Sequence, residues 1–215
     1  MKITKVAAPE SLSRTRNQER GTVVVAAIQM HFEKDPHQHQ SLLAEAISAA
    51  AAEGAQVVLL PELTLSRYPA DTLPVGTPNE SAEDLLTGPT FSFAAEQALK
   101  HGVFVHASLY QKVEMADGRG LNTAIIVGPD GKLVGSTDKL HIPVTEGYFE
   151  DKYFAAGENT DPYRVHELAL TGTPKLGMPT CWDEWFPEVA RAYGLAGADI
   201  LCYPTAIGSE PDHPD

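Results

Sequence analysis

Two short, uninterrupted apolar runs flank a helical segment near the start of the chain, and this order constrains the fold more than any other feature of the sequence. The runs, "TVVVAAIQ" at 22–29 and "AQVVLL" at 55–60, are typical of strands buried on both faces. Between them, Asp35-Pro36 offers an N-cap and a proline at the first helical position, and Gly54 ends the helix. Because a strand–helix–strand unit of this length makes a parallel pair, the sequence predicts an α/β fold.

The rest of the chain continues this alternation. A polar N-terminal tail over 1–20 is expected to precede a single folded domain over 21–215, in which 143–162 is predicted to be loop. The predicted elements are a helix in "TFSFAAEQALKHG", a strand in "VFVHASLY", a hairpin about "GPDG" in "NTAIIVGPDGKLVGSTDKL", strands in "RVHELAL" and "KLGMPTC", a helix in "FPEVARAYGLAG" and a strand in "DILCYP".

Charge and composition exclude several classes of protein. The net charge is −13 and no Lys/Arg-rich run is present, which is the reverse of a nucleic-acid-binding surface. No stretch approaches the ~18 consecutive apolar residues of a membrane span, and 1–20 has no apolar signal-peptide core. The two cysteines fit a reducing compartment, and the histidines show no metal-ligand spacing. We therefore expect a cytoplasmic protein that acts on a small molecule without nucleic acid, membrane or metal.

Three residue types suited to covalent chemistry each follow a predicted strand. Glu62 follows "AQVVLLP", Lys139 follows the second arm of the hairpin, and Cys181 ends "KLGMPTC". In open α/β sheets, ligands bind beyond the carboxyl ends of the strands. The sequence therefore predicts that these three side chains meet.

Together the three residues could carry acyl transfer from a carbon–nitrogen bond. A thiol with an ordinary pKa of about 8.5 is expected to ionise more readily beside the Lys139 cation and a helix N-terminus near Trp185. Glu62 could serve as base and then acid, while Lys139 and the backbone N–H of Trp182 could face an oxyanion.

Each residue also has a purely structural interpretation. A lone cysteine is more often buried packing, the interpretation we assign to Cys202. Glu62 could be a cap or turn residue, and Lys139 and Glu150 could be solvated loop charges. A doubly wound binding domain without covalent chemistry therefore stays open at this point.

Four motifs in order resemble those of the nitrilase (carbon-nitrogen hydrolase) superfamily, from about Val23 to the end of the chain. They are "LLPEL", "DKLHIP", "GYFEDKYF" and "CWDEWFPE". The resemblance implies an α-β-β-α sandwich, no metal or organic cofactor, and assembly into homo-oligomers. It implies Glu62 as general base, Lys139 as oxyanion stabiliser, Cys181 as nucleophile, and Glu150 as an auxiliary carboxylate that orients Lys139 or the substrate.

Within the superfamily, "CWDEWFPE" and "YPTAIGSEP" are similar to the N-carbamoylputrescine amidases, which implies cleavage of a ureido group to amine, CO2 and ammonia. A cationic substrate end would need an acid in the pocket, because an unpaired buried charge is costly. The candidate substrate-binding residues, which could equally be caps, solvated acids or packing residues, are Tyr68, Trp182, Asp183, Glu184 and Glu210.

Two departures from the family pattern keep alternatives open. Pro179 suits a central strand poorly, so the turn that aims Cys181 is expected to be distorted. Family members generally continue beyond "YPTAIGSEP", so we expect a sandwich that lacks its C-terminal part and leaves a sheet edge uncovered. The alternatives are another amidase, a beta-ureidopropionase-like activity, or a catalytically incomplete, binding-only subunit.

Overall fold

The structure is a computed structural model and describes residues 1–7, 19–158 and 160–207. Two one-turn 3-10 helices, Pro78–Ser81 and Cys181–Trp185, accompany the main elements. In chain order these are β1 (Val25–Ala27), α1 (Pro36–Ala52), β2 (Val57–Leu59), α2 (Pro89–His101), β3 (Phe104–Gln111), β4 (Gly120–Val127), β5 (Leu133–Asp138), α3 (Glu150–Tyr153), β6 (Phe154–Ala155), β7 (His166–Glu167), β8 (Lys175–Gly177), α4 (Pro187–Leu195) and β9 (Ile200–Leu201).

The larger sheet contains the first five strands in the order β1-β2-β3-β4-β5, with β6 paired to β4. β1, β2 and β3 run parallel, which confirms the predicted strand–helix–strand unit. β4 and β5 are antiparallel neighbours, which confirms the hairpin. Since β5 is antiparallel to β4 and β4 to β3, the carboxyl ends of β2, β3 and β5 lie at the same edge of the sheet.

The smaller sheet, β7-β8-β9, packs face to face on the larger one. Successive strand residues point to opposite faces, so Phe104 of β3 lies between the sheets while Val105 faces the helices. The layer between the sheets contains Val57, Phe104, Ala124 and Ile126 from one side and Leu168, Leu176, Met178 and Cys202 from the other. The layer under α1 and α2 contains Leu43, Ile47, Phe93, Ala94, Ala98, Val58, Val105, Ala107 and Ile125.

Helix α4 covers the smaller sheet. A Cβ atom built on Gly177 of β8 would lie 2.5 Å from a ring carbon of Tyr193, which is fully buried on α4. With α1 and α2 on the outer face of the larger sheet, the layers follow the order α-β-β-α, and the predicted fold class is confirmed.

The helix ends follow the local rules read from the sequence. The Asp35 carboxylate accepts hydrogen bonds from the N–H groups of His37 and Gln38, and Pro36 is the first helical residue. α2 ends at Gly102, whose φ of 66° is left-handed. No helix within the described ranges is both long and apolar enough to cross a membrane.

The prediction of loop over 143–162 is wrong in part, because α3 and β6 lie inside it. Tertiary contacts define this segment: Phe154 is fully buried, and the Tyr110 hydroxyl donates to the Tyr153 carbonyl. Four helical residues followed by two strand residues are too few for a periodic pattern.

Two further expectations from the sequence concern Pro179 and the N-terminal tail. The expected conflict between Pro179 and the strand ladder does not arise, because β8 ends at Gly177. Arg20, the last residue of the predicted tail, forms an ion pair with Asp199 and donates to the carbonyls of Gly172 and Thr173.

Candidate active site

Glu62 lies just beyond β2 and is 4% exposed. The next residue, Leu63, has a φ of 49°, which is unfavourable for a non-glycine residue. Its N–H donates to Ser108 Oγ of the neighbouring strand β3, and the N–H of Thr64 donates to the Ser108 carbonyl. These bonds fix a sharp turn that directs the Glu62 carboxylate into the interior.

Lys139 follows β5, and its side chain is fully buried between two carboxylates. Its Nζ lies 3.2 Å from Glu62 Oε1 and 2.6 Å from Glu150 Oε2. Glu150 is the first residue of α3, so the short helix missed in the sequence supplies the second carboxylate. The structure therefore brings Glu62, Lys139 and Glu150 together.

Cys181 begins the 3-10 turn that follows β8, and its φ of 46° is left-handed. Non-glycine residues held in this region cost of order 1–3 kcal/mol and cluster at functional sites. The charged groups close enough to shift the pKa of the Cys181 thiol are Glu62, Lys139 and Glu150. The three sequence candidates and Glu150 thus form one cluster.

The surroundings of Cys181 raise the pKa of its thiol to about 12. Burial is the largest cause, and the charges of Glu62 and Glu150 add to it, while Lys139 acts in the opposite direction. Lys139 lowers this pKa as expected, but the expected net lowering is wrong, because burial and two carboxylates outweigh one cation. The resting thiol keeps its proton, so a reaction requires a base beside it.

Lys139 and Glu150 respond differently to the same burial. Burial alone would lower the pKa of Lys139, but the charges of Glu62 and Glu150 raise it overall. Burial raises the pKa of Glu150, an effect that Glu62 strengthens and Lys139 only partly offsets. These directions agree, because two carboxylates share the single charge of Lys139: the lysine stays charged, and the pKa of Glu150 stays raised.

Tyr68, one of the predicted substrate-binding residues, lies beside this cluster. Burial, followed by the charges of Glu62 and Glu150, raises the pKa of its hydroxyl. Tyr68 is half-buried, so it lies between the solvent and the buried carboxylates.

Asp183 does not fit the predicted role in binding a substrate cation. It is 1% exposed, and its carboxylate accepts hydrogen bonds from the N–H groups of Thr180 and His141 and from His141 Nδ1. The carboxylate is therefore occupied within the protein. Trp182 and Glu184 are exposed on the same turn, and Glu210 lies outside the described residues.

Sequence reasoning missed two donors to Glu62. Asn122 Nδ2 donates to Oε1 at 2.7 Å, and the N–H of Ala206 donates to Oε2 at 2.8 Å. A polar residue inside the apolar run "LNTAIIV" was a usable signal for Asn122. A backbone donor such as Ala206 leaves no mark in a sequence.

We also searched the described residues for a metal site and for a cleft that includes the clustered side chains. Within the described ranges, no group of three or more His, Cys, Asp or Glu side chains is arranged to hold a metal ion. A cleft of about 550 Å³ is lined by Thr77, Asn79, residues 112–116 and Gly118, and none of the four clustered side chains lines it.

Sequence comparisons relate the chain to known proteins. The family model described as carbon-nitrogen hydrolase matches residues 24–214. A citrullinase from Francisella tularensis is 34% identical over 90% of this chain and 64% of its own length. An N-carbamoylputrescine amidase from Solanum tuberosum is 34% identical over 88% of this chain and 60% of its own length. The chain thus spans less than two thirds of these curated relatives.

Solved structures show the same fold. A carbon-nitrogen hydrolase from Helicobacter pylori G27 superposes with a TM-score of 0.74 and 28% identity, covering 88% of this chain and 62% of that chain. A mutant of a Nesterenkonia AN1 amidase from the nitrilase superfamily gives a TM-score of 0.71 at 22% identity, covering 91% of this chain and 69% of that chain. The second likeness concerns the fold alone.

Proposed function

The chain belongs to the carbon-nitrogen hydrolase (nitrilase) family, and from this premise we propose that it hydrolyses a non-peptide carbon–nitrogen bond through a thioester on Cys181. The observation that carries the proposal is the buried Glu62 carboxylate, which lies 3.2 Å from the Lys139 ammonium and close enough to the Cys181 thiol to shift its pKa. A protonated thiol beside a carboxylate and a fixed cation has the parts needed for base-assisted attack on a carbonyl.

In the first half-reaction, the Cys181 sulfur bonds to the substrate carbonyl carbon as its proton passes to Glu62. The Lys139 ammonium and the backbone N–H of Trp182 stabilise the oxyanion; loss of one such donor typically costs about 100- to 1000-fold in rate. The tetrahedral intermediate then collapses and the carbon–nitrogen bond breaks. Glu62 returns its proton to the departing nitrogen, which leaves an acyl thioester on Cys181.

In the second half-reaction, Glu62 takes a proton from water as the water oxygen attacks the thioester. Collapse of this intermediate breaks the carbon–sulfur bond, and the sulfur recovers the proton from Glu62. Glu150 holds Lys139 in place through both halves, because it makes the shorter of the two ion pairs, 2.6 Å against 3.2 Å.

For the substrate, we propose an N-carbamoyl amine. Hydrolysis of one carbon–nitrogen bond through the thioester gives the amine and carbamic acid, and the carbamic acid then breaks down in solution to CO2 and ammonia. The names of two relatives refer to citrulline and N-carbamoylputrescine, and both compounds end in a ureido group. The exposed side chains next to the nucleophile, Trp182 and Glu184, offer an aromatic surface and a free carboxylate for a cationic substrate end.

The test is ammonia release from N-carbamoylputrescine, citrulline, N-carbamoyl-β-alanine and simple amides. We expect the ureido substrates to be preferred, Cys181→Ser to abolish release, and Cys202→Ser, which changes the buried cysteine between the sheets, to retain it. Release that survives Cys181→Ser contradicts the mechanism. Preference for simple amides overturns the substrate class and keeps the mechanism. Absence of ammonia release from all of them contradicts the proposed activity and favours the binding-only alternative.

A further inference from the structure

We propose that Asn122 is a positioning residue that holds the Glu62 carboxylate and selects which of its oxygens receives the thiol proton. This inference rests on the proposed function, since it assigns Glu62 as the base. Asn122 lies on β4, is 1% exposed, and belongs to none of the four sequence motifs. Its amide nitrogen donates to Glu62 Oε1 at 2.7 Å, closer than the 3.2 Å contact of Lys139 with the same oxygen.

Ser108 fixes the orientation of this amide. Its hydroxyl donates to Asn122 Oδ1 at 3.2 Å and accepts the N–H of Leu63, also at 3.2 Å. Because Asn122 Oδ1 is occupied by a donor, the NH2 group must face the carboxylate. Glu62, Leu63, Ser108 and Asn122 therefore form a closed ring of chain and hydrogen bonds, which resists rotation of the carboxylate.

Asn122 also positions the cation through its main chain. Its carbonyl accepts the backbone N–H of Lys139 at 2.8 Å, just beyond the end of β5. One residue of β4 thus holds the proposed base by its side chain and the proposed oxyanion stabiliser by its backbone. Substitution of the side chain leaves the second contact available, so the two effects are separable.

The hydrogen bonds to Glu62 decide the route of the proton. A carboxylate oxygen has about two lone-pair positions. Asn122 and Lys139 occupy those of Oε1, whereas within the described part of the chain Oε2 accepts one nitrogen donor, the Ala206 N–H. The position left for the Cys181 proton is on Oε2. Without Asn122, Oε1 gains an open position, so we expect the proton to divide between the two oxygens.

The experiment compares Asn122→Leu and Asn122→Asp with the unchanged chain. Both replacements keep the side-chain size; leucine removes the donor, and aspartate replaces it with a second acid facing Glu62. Two readouts are measured against pH: kcat/KM for ureido hydrolysis and the rate of Cys181 alkylation by iodoacetamide, which needs no turnover. We expect both rates to fall about 10- to 100-fold near neutral pH.

The pH profiles distinguish positioning of the Glu62 carboxylate by Asn122 from a merely structural effect of Asn122 on the fold. A carboxylate that loses a hydrogen bond to its ionised form binds its proton more tightly. The acidic limb of both profiles should therefore move to higher pH in Asn122→Leu and further in Asn122→Asp, with a smaller movement in Ser108→Ala. Asn79→Leu is the control, because the amide of the partly buried Asn79 likewise donates within the protein, but to the carbonyls of Val113 and Arg119 and not to the cluster.

Each outcome decides between the hypotheses. Acidic limbs that stay in place in all three site variants overturn the role of Asn122, whatever the rates do. If Asn122→Leu does not fold, Ser108→Ala and Asn122→Asp still test the shift. A shifted alkylation limb in a chain that releases no ammonia supports the role of Asn122 and contradicts the proposed hydrolysis. Alkylation of Cys181 that is no faster than that of Cys202 overturns both.

Discussion

The buried carboxylate of Asp183 accepts both the backbone N–H and the ring Nδ1 of His141, at 2.9 and 2.7 Å. Asp183 belongs to the turn that carries Cys181, and His141 lies two residues beyond Lys139. The His141 ring also stacks on Phe186, with ring centroids 3.7 Å apart. The turn that carries Cys181 is therefore held directly against the segment that follows Lys139.

Asp183→Asn should weaken this connection. An amide offers one acceptor oxygen where the carboxylate offers two, so a buried N–H of Thr180 or His141 loses its partner, at a cost of about 1–3 kcal/mol. We expect that loss in the free energy of unfolding measured by urea titration, together with slower alkylation of Cys181. Glu184→Gln, which changes the exposed acid beside it, should stay within about 0.5 kcal/mol of the parent. Equal stability of the two variants would contradict the role of Asp183.

Lys139→Met should destabilise the protein strongly and in a pH-dependent way. Removal of one partner from a buried ion pair typically costs about 3–5 kcal/mol, and here two buried carboxylates, Glu62 and Glu150, lose their cation. The exposed Lys152, which pairs with Asp151, supplies the control: Lys152→Met should cost at most about 1 kcal/mol.

The direction of the pH effect follows from Glu150. Its pKa is already raised in the folded protein, and removal of Lys139, which acts to lower it, raises it further. Between the unfolded and folded pKa values, the folded state binds more protons, so stability is highest below the unfolded value and is lost as pH rises through the folded value. Urea titrations at about pH 5 and about pH 8 should show a larger deficit for Lys139→Met at the higher pH. A deficit that is the same at both values would contradict this coupling.

The strand ends that supply Glu62 and Lys139 could be predicted from the sequence, because local patterns fix β2 and the β4–β5 hairpin. The approach of Cys181 to them depends on how the smaller sheet packs on the larger one, which no local pattern records; the order of the motifs supplied that expectation. The pKa of the thiol was predicted in the wrong direction, since burial is a tertiary property. The donation from Ala206 to Glu62 was equally inaccessible, because any residue carries that N–H.

Glu150→Gln should change thiol reactivity and turnover in opposite directions. The charge of Glu150 is one of the groups that raise the pKa of Cys181, so its removal should speed alkylation in mildly alkaline solution. Lys139 meanwhile loses its 2.6 Å ion pair, and a catalytic group misplaced by about 1 Å costs about 100-fold in rate. Ammonia release and alkylation rates check the two effects, with Glu146→Gln, an exposed acid of the same loop, as the control. A parallel fall in both rates would show that Glu150 acts only through the fold.

Gly177→Ala should test how closely α4 must approach β8 to carry the nucleophile turn. The added Cβ would lie 2.5 Å from Tyr193 Cδ1 and 2.8 Å from Leu201 Cδ2, so the helix or the strand must shift. Overpacking of this kind costs about 1–3 kcal/mol, which urea titration should detect.

Gly194→Ala is the matched control. Gly194 lies on α4 next to Tyr193, and outside its own helix no atom lies within 4 Å of its added Cβ. That variant should gain about 0.5–1 kcal/mol from helix propensity. Since Cys181 lies four residues beyond Gly177, alkylation of Cys181 should slow in Gly177→Ala and stay unchanged in Gly194→Ala. Unaltered stability of Gly177→Ala would show that the contact between β8 and α4 is looser than the structure describes.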